Sequence, residues 1–273
     1  MNVGPDGARY LAAAQGLPVP RPFHLRWYLP AMCGTSERAW WIACVASWAA
    51  IGPSFALWRA IEGDTWQMAV VGAVALLALP GILGPRVVTP VGVDITATAF
   101  SLAATALVAT GRPHLIAAGV IVCTFGAMTK ETAPIWTALW AWSPWPLIAL
   151  AAVAIRAVIA KPGPDPLGPT FQAIADHPIR SALEHHRGQW RNAWVMLAPW
   201  GIGVAALVDP TPQVLVTVVV AYLQLAVATD TVRLLHHAAG PVVIAAAVAN
   251  IPSSWLLVAL AAHGLWWRAP ERV

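Results

Sequence analysis

Apolar runs separated by short polar segments follow one another along the chain from residue 40 onward. A helix that crosses the hydrocarbon core of a bilayer needs about 20 mostly apolar residues, and several of these runs are somewhat shorter. We therefore predict an all-α polytopic membrane protein with about eight or nine transmembrane helices. The runs cover residues 40–58, 66–83, 95–110, 115–128, 135–142, 146–159, 193–208, 214–229, 232–249 and 254–267.

Prolines and one acidic residue predict where helices break or begin. Pro80 lies in the last turn of its run, where a proline removes a backbone hydrogen bond and favours a kink. Pro144 and Pro146 interrupt an apolar stretch and divide it into two helices. Asp94 directly precedes an apolar run, so we expect its carboxylate to cap that helix.

Two polar stretches accompany the apolar runs, and each is a candidate for an interfacial helix. In the second stretch, residues 169–190 place Phe171, Ile174 and Ile179 opposite charged side chains, as in a helix lying along a membrane surface. Those charged residues are Asp176, Arg180, Glu184 and Arg187. We interpret residues 1–273 as a single integral membrane domain. It comprises a polar arm at 1–39, helices at 40–160, a polar loop at 161–192 and helices at 193–268.

Composition places the chain in a bilayer. Hydrophobic residues make up 59% and charged residues 10% of the 273 positions, and the mean hydropathy is +0.66. Because a soluble globular domain carries about 25% charged residues, this chain has too few charges to cover a water-exposed surface. We expect a multi-pass protein of a bacterial inner membrane.

Tryptophans support this placement. The chain has 16, and many lie where an apolar run begins or ends, as in the aromatic belt of membrane proteins. These are Trp40, Trp41, Trp58, Trp66, Trp145, Trp194, Trp255, Trp266 and Trp267.

The net charge and the spacing of cysteines and histidines limit which partners and cofactors the sequence supports. The net charge is +4, and the arginines are scattered singly, which favours anionic lipid headgroups or a phosphate-bearing lipid over nucleic acid. The three cysteines have no metal-type spacing, and none of the eight histidines has a second histidine four residues away. We name no certain cofactor and leave a divalent metal ion open.

Charged residues at helix ends are the candidates for chemistry. Lys130 and Glu131 form an adjacent pair between two apolar runs, and Asp230 and Arg233 stand at the start of another. We expect Asp94 to meet one of these pairs if the helices bundle. A charge at the centre of a membrane helix costs about 2.5–3.5 kcal/mol. Because most charges here lie at helix ends, where that cost largely vanishes, the plainer interpretation of each is a helix cap or a side chain that reaches to the interface.

Several motifs, taken in order, resemble those of GT-C-type polytopic glycosyltransferases. The first is Asp6-Gly-x-x-Tyr10, followed by Pro22-Phe-His-Leu-Arg26-Trp-Tyr-Leu-Pro30, which is similar to the first extracytoplasmic loop of that family. The later ones are Pro90-x-x-x-Asp94, Lys130-Glu131-Thr132 and Asp230-x-x-Arg233 followed by Gly240-Pro241.

The resemblance implies a GT-C-like fold and transfer of a sugar from a polyprenyl-phosphate donor to an envelope or surface acceptor. It implies Asp6 as the general base and a lipid-linked donor held by substrate-binding residues. These are Tyr10, Arg26, Asp94, Lys130, Glu131, Asp230 and Arg233. In the family a transmembrane helix precedes the loop, whereas five residues precede Asp6 here, so we expect that helix to be missing or supplied by another membrane protein.

Two other functions stay open. A non-enzymatic membrane subunit or scaffold of a larger envelope complex fits the short helices. A small transporter with Asp94, Glu131 and Asp230 along a polar path is less favoured, because no internal repeat is visible. The membrane orientation is also open, since the positive-inside tendency favours the arginine-rich polar arms on the cytoplasmic side.

Overall fold

The computed structural model describes residues 5–83, 91–168, 177–187, 198–226 and 231–266. Every regular element in these ranges is helical, which confirms the all-α prediction. The helices, numbered in chain order, are α1 Pro5–Ala14, α2 Tyr28–Cys33, α3 Glu37–Ile61, α4 Trp66–Leu77, α5 Pro80–Leu83, α6 Asp94–Ala109, α7 Pro113–Thr129, α8 Ala133–Trp140, α9 Leu150–Ile159, α10 Pro178–His186, α11 Pro212–Leu223, α12 Thr231–Asn250 and α13 Leu256–Trp266. Short 3₁₀ helices lie at Phe23–Leu25, Trp145–Ala149, Ala198–Leu207, Gln224–Ala226 and Ser253–Trp255.

The chain packs as two compact units. Unit 1 comprises Met1–Ile51 and Arg86–His177, and unit 2 comprises Gly52–Pro85 and Pro178–Val273. Helix α3 is continuous and contributes its first part to unit 1 and its last part to unit 2. The expectation of one integral membrane domain stays a prediction.

Helix ends follow the local signals in the sequence. Helix α4 ends at Leu77 and a new helix begins at Pro80, as the proline predicts. Helix α8 likewise ends before the prolines at 144 and 146, and α9 follows a 3₁₀ turn. The Thr65 hydroxyl accepts from the Met68 amide at 3.3 Å and so caps α4.

Helix α3 is the one described helix that is long and apolar enough to cross a membrane by itself. It has 25 residues and a hydropathy of 1.4, and its sequence contains the predicted run 40–58. The pair Leu235–Asn250 and Ser253–His263, bent by 112°, qualifies only if it counts as one broken span.

Two tryptophans of the predicted aromatic belt lie in the core instead. Trp40 and Trp58 are each 1% exposed. Their indole N–H groups are satisfied inside the protein, by the Gly34 carbonyl at 2.9 Å and by the Glu62 carboxylate at 2.7 Å respectively. The belt expectation is therefore wrong for these two. By contrast, Trp66, Trp145 and Trp255 are well exposed, as a belt position requires: their exposed fractions are 66%, 51% and 61%.

Helices α6 and α7 form an antiparallel pair at the centre of unit 1. They are joined by a tight turn at Gly111, whose φ of +69° favours glycine. Glycines on α7 allow close approach: a Cβ on Gly119 would lie 3.1 Å from the Ala104 carbonyl oxygen, and one on Gly126 would lie 3.3 Å from Phe100 Cβ. This register brings the end of α7 beside the start of α6.

The N-terminal arm has an apolar core of its own against these helix ends. Tyr10, Phe23 and Leu29 are each at most 4% exposed and pack with Trp40 and Val93. The Tyr10 and Phe23 rings lie 5.1 Å apart, in the tilted geometry that aromatic pairs favour. The polar arm is thus a packed part of unit 1.

Unit 2 is organised by α12 and by two buried histidines. His236 Nδ1 accepts from the Gly81 amide at 2.8 Å. His263 Nδ1 accepts from the Ile202 amide at 3.2 Å, and its Nε2 lies 3.1 Å from the Ala75 carbonyl oxygen. Because a nitrogen that accepts carries no proton, His263 is a neutral imidazole that donates from Nε2. His263 therefore connects α13 to α4 and to the 3₁₀ helix Ala198–Leu207, which is kinked at Gly201.

We predict that Gly201→Ala destabilises the protein by more than about 1 kcal/mol. Gly201 has φ +52°, and an added Cβ would lie 2.3 Å from His263 Nδ1. The check is the thermal midpoint in detergent. Gly34 is a matched control, because it has φ +53° and nothing within 4 Å of its Cβ position. Equal losses from Gly201→Ala and Gly34→Ala would contradict the contact with His263.

Candidate functional site

Arg26 joins the N-terminal arm to the turn between α7 and α8. Its Nε and Nη2 donate to the two carboxylate oxygens of Glu131 at 2.7 and 2.6 Å. Its Nη1 donates to the Tyr10 hydroxyl at 3.0 Å. Three residues proposed from the sequence as substrate-binding therefore meet in one hydrogen-bonded group.

Lys130 and Asp94 form a second pair beside this group. Lys130 Nζ donates to Asp94 Oδ1 at 2.5 Å, and the two side chains are 11% and 7% exposed. This confirms that Asp94 meets a charged pair when the helices bundle. The expectation that Asp94 is the cap residue is wrong by one position: Asp94 is the first residue of α6, and Val93 occupies the cap position.

A third group was missed by sequence analysis. Arg9 Nε and Nη2 donate to the two oxygens of Asp165 at 3.1 and 2.7 Å, and both side chains are almost fully buried. Arg9 Nη1 also donates to Asp6, at 3.3 Å. No motif marked Asp165, because 156 residues separate it from Arg9 and only the fold brings them together. The alternating prolines around Asp165 were the available signal of an ordered turn.

These groups form one cluster, which we call the arm cluster. It consists of Asp6, Arg9, Tyr10, Arg26, Asp94, Lys130, Glu131 and Asp165. The Phe23 ring lies beneath both guanidinium groups, with Arg9 Cζ at 5.3 Å and Arg26 Cζ at 5.4 Å from its centroid. Both distances are within the range of a cation–π interaction.

Electrostatics tie the cluster together. Burial raises the pKa of Tyr10, and the carboxylates of Asp94 and Asp6 add to this effect while Arg26 opposes it. The Tyr10 hydroxyl is therefore protonated at neutral pH. Burial by itself would raise the pKa of Glu131, but the Arg26 guanidinium outweighs it and holds that pKa below its ordinary value.

The arrangement leaves some hydrogen-bond donors available. Arg26 has five N–H groups and uses three on Glu131 and Tyr10, while Lys130 Nζ has three and uses one on Asp94 within the described residues. Asp6 is the most accessible carboxylate of the cluster, with a side chain 40% exposed. The site can thus offer cationic donors and an exposed carboxylate.

Some predicted site residues lie beyond what the structure describes. Asp230 is outside the described residues, as is Pro90 of the Pro90-x-x-x-Asp94 motif. Arg233 lies in α12, but its side chain is outside the described part of the chain. Most of the predicted interfacial segment 169–190 is also outside; within it, α10 covers Pro178–His186. Among the described residues, no group of three or more His, Cys, Asp and Glu side chains is placed to hold a metal ion.

We predict that Lys130→Gln lowers stability by about 3 kcal/mol, because it leaves the buried Asp94 carboxylate without its lysine partner. Lys161→Gln is the matched control, since Lys161 is exposed and is the other lysine of the chain. Thermal midpoints in detergent measure both. A Lys130→Gln midpoint as high as that of Lys161→Gln would show that the pair does not stabilise unit 1.

We predict that acid pH weakens the ion pairs that hold the N-terminal arm to unit 1. Burial alone would raise the pKa values of Glu131 and Asp165, but their arginine partners lower them below the ordinary values of 4.5 and 3.8. A lowered carboxylate pKa contributes stability that is complete above the ordinary value and is lost as pH falls through the folded value. We therefore expect the thermal midpoint to fall steeply below pH 4.5. In the double variant Glu131→Gln/Asp165→Asn the fall should be shallower; an unchanged profile would contradict the assignment.

The chain has no match among protein-family models, curated proteins or solved structures. Its similarity to GT-C-type glycosyltransferases stays a prediction from the sequence motifs.

Proposed function

We propose that the protein is a multi-pass membrane glycosyltransferase whose site is the arm cluster. The observation that carries the proposal is the convergence of Asp6, Tyr10, Arg26, Lys130 and Glu131, together with Asp94, at one end of the unit 1 helices. These residues come from widely separated segments and were selected from the sequence as one set.

The multi-pass part of the proposal rests on helix length and exposed apolar side chains. Helices α6 and α7 have 16 and 17 residues, so they are about 24–26 Å long, somewhat less than the hydrocarbon core of about 30 Å. Counting α6 and α7, five apolar helices of 10–17 residues accompany α3 among the described residues. Exposed Ile121 and Ile148 give unit 1 an apolar exterior suited to lipid. We propose eight or nine spans, several of them short.

In the proposed reaction the donor is a sugar linked to a polyprenyl phosphate. The remaining N–H donors of Arg26 and Lys130 bind the phosphate, for which a guanidinium group is well suited. Asp6 takes the proton of the acceptor hydroxyl as general base. The acceptor oxygen then bonds to the anomeric carbon of the sugar, and the bond from that carbon to the phosphate oxygen breaks. Polyprenyl phosphate leaves with the bonding electrons. No cofactor is required by this scheme.

A second candidate is a non-enzymatic subunit of a larger membrane complex. It is favoured by the same ion pairs, because Arg9, Arg26 and Lys130 already meet carboxylates, as they would in a cluster that only fastens the arm. This candidate implies a stable association with another membrane protein. Stable co-purification with such a partner, together with unchanged function of Asp6 variants, would favour this candidate.

The first test determines which side of the membrane the arm cluster faces. Cys33, Cys44 and Cys123 are buried and can be replaced by alanine, after which single cysteines are placed at the exposed Gln15 and Leu167. A membrane-impermeant thiol reagent on intact cells should label both, because polyprenyl-linked sugars are used on the outer face of the membrane. Labelling of both only after the cells are opened would contradict the glycosyltransferase proposal.

The base assignment is tested by Asp6→Asn. Membranes are supplied with radiolabelled polyprenyl-phosphate mannose, glucose or arabinose, and transfer to the envelope is counted. We expect the variant to lose transfer by at least about 100-fold, the usual contribution of a general base. Glu184→Gln is the control, because Glu184 lies on α10 and pairs only with exposed Arg180 among the described residues. Full transfer by Asp6→Asn would exclude Asp6 as the base.

A further inference from the structure

Arg156, on the last turns of α9, differs from the arginines of the arm cluster. Its Nε donates to the His24 carbonyl oxygen at 3.2 Å, and its guanidinium lies 5.9 Å from the Trp27 ring centroid. Within the described residues it meets no carboxylate. Arg9 and Arg26 each hold a carboxylate with two nitrogens, whereas both terminal nitrogens of Arg156 have no described acceptor. Two such nitrogens match two phosphate oxygens.

His24 adds an independent sign of a missing polar partner at this place. His24 is only 8% exposed, and its buried Nδ1 has no hydrogen-bond partner among the described residues. Buried polar atoms are nearly always satisfied, and an exception points to a bound molecule or water. Burial lowers the pKa of His24, and the positive charges of Arg21 and Arg156 lower it further, while the Glu131 carboxylate opposes them. The imidazole therefore lies in a mostly cationic environment.

Apolar surface lies next to these polar groups. Ile155, Val158 and Ile159 are 60%, 84% and 70% exposed, and their spacing places them on one face of α9. Trp27 is 38% exposed on the guanidinium of Arg156. A tryptophan beside a basic side chain, above an apolar stripe, is the arrangement found where protein meets lipid headgroups.

We propose that Arg156, His24 and Trp27 form a binding site for the phosphate of an anionic phospholipid, whose acyl chains lie along Ile155, Val158 and Ile159. The terminal nitrogens of Arg156 donate to two phosphate oxygens, and the His24 ring forms a hydrogen bond with a third oxygen of the headgroup. Charge complementarity selects the occupant: the described groups around the site include Arg21 and Arg156, while the one nearby carboxylate, Glu131, is already held by Arg26.

The phospholipid site at Arg156 is separate from the proposed donor site. It deepens the proposed function, because it fixes where unit 1 meets the membrane surface. It rests on that proposal only for membrane placement. Loss of sugar transfer in every assay would leave lipid binding at Arg156 unaffected, so the two can fail separately.

Lipid binding to the purified full-length chain tests the site. The protein is delipidated in detergent, titrated with dioleoyl phosphatidic acid, and the lipid-bound fraction is counted by native mass spectrometry. We expect Arg156→Gln to weaken binding about tenfold, the value of a charge-assisted hydrogen-bonded contact. Arg156→Lys, which keeps the charge but not the paired nitrogens, should fall between, and His24→Gln should weaken binding by a smaller factor.

Matched controls decide between the outcomes. Arg112→Gln removes an exposed arginine at the other end of α6 and α7 and should leave binding unchanged. Circular dichroism and a monodisperse elution profile show that each variant is folded. Equal losses from Arg112→Gln and Arg156→Gln would overturn the site in favour of diffuse charge attraction. Displacement of the lipid by 50 mM inorganic phosphate, or its exclusion by an equimolar polyprenyl phosphate, would overturn the phospholipid assignment.

Discussion

Charge that leaves water must be paired, and this constraint shapes unit 1. Burial of a lone carboxylate or guanidinium costs several kcal/mol, and pairing with good hydrogen bonds offsets that cost. Arg9 with Asp165, Arg26 with Glu131 and Lys130 with Asp94 satisfy it with contacts of 2.5–3.1 Å. Each pair joins segments far apart in the chain, so the pairing also decides which segments lie together.

The consequence is that the two polar stretches are parts of one structure. Arg9 and Asp165 connect the N-terminal arm to the segment after α9, and the Gly163 amide adds a 2.9 Å bond to the Val19 carbonyl. A side chain at Gly163 would meet Pro18 Cβ at 2.2 Å, so the approach depends on glycine. The arm thereby covers the helix ends and places the Tyr10 hydroxyl 3.0 Å from Arg26 Nη1, where the carboxylates of Asp94 and Asp6 help to raise its pKa.

Local signals in the sequence predicted the helices and their breaks, because proline, glycine and apolar run length act over a few residues. The resemblance to GT-C-type glycosyltransferases grouped Tyr10, Arg26, Asp94, Lys130 and Glu131 as substrate-binding residues. The structure brings these side chains together, and their role in substrate binding stays a prediction. The local signals did not predict Asp165 or the burial of Trp40 and Trp58, because these depend on contacts across the fold. They also did not predict that the Asp94 carboxylate accepts from Lys130, which is 36 residues away.

A double-mutant cycle on Arg26 and Glu131 tests the pairing most directly. Arg26→Gln, Glu131→Gln and the double variant are unfolded by SDS in mixed micelles, and the free energies of unfolding are compared. For residues in contact we predict a coupling energy of about 1–3 kcal/mol, so that the double variant loses much less than the sum of the single losses. Additive losses would show that the two side chains do not meet, and would contradict the arm cluster as the set of contacts that fastens the N-terminal arm to the helices of unit 1.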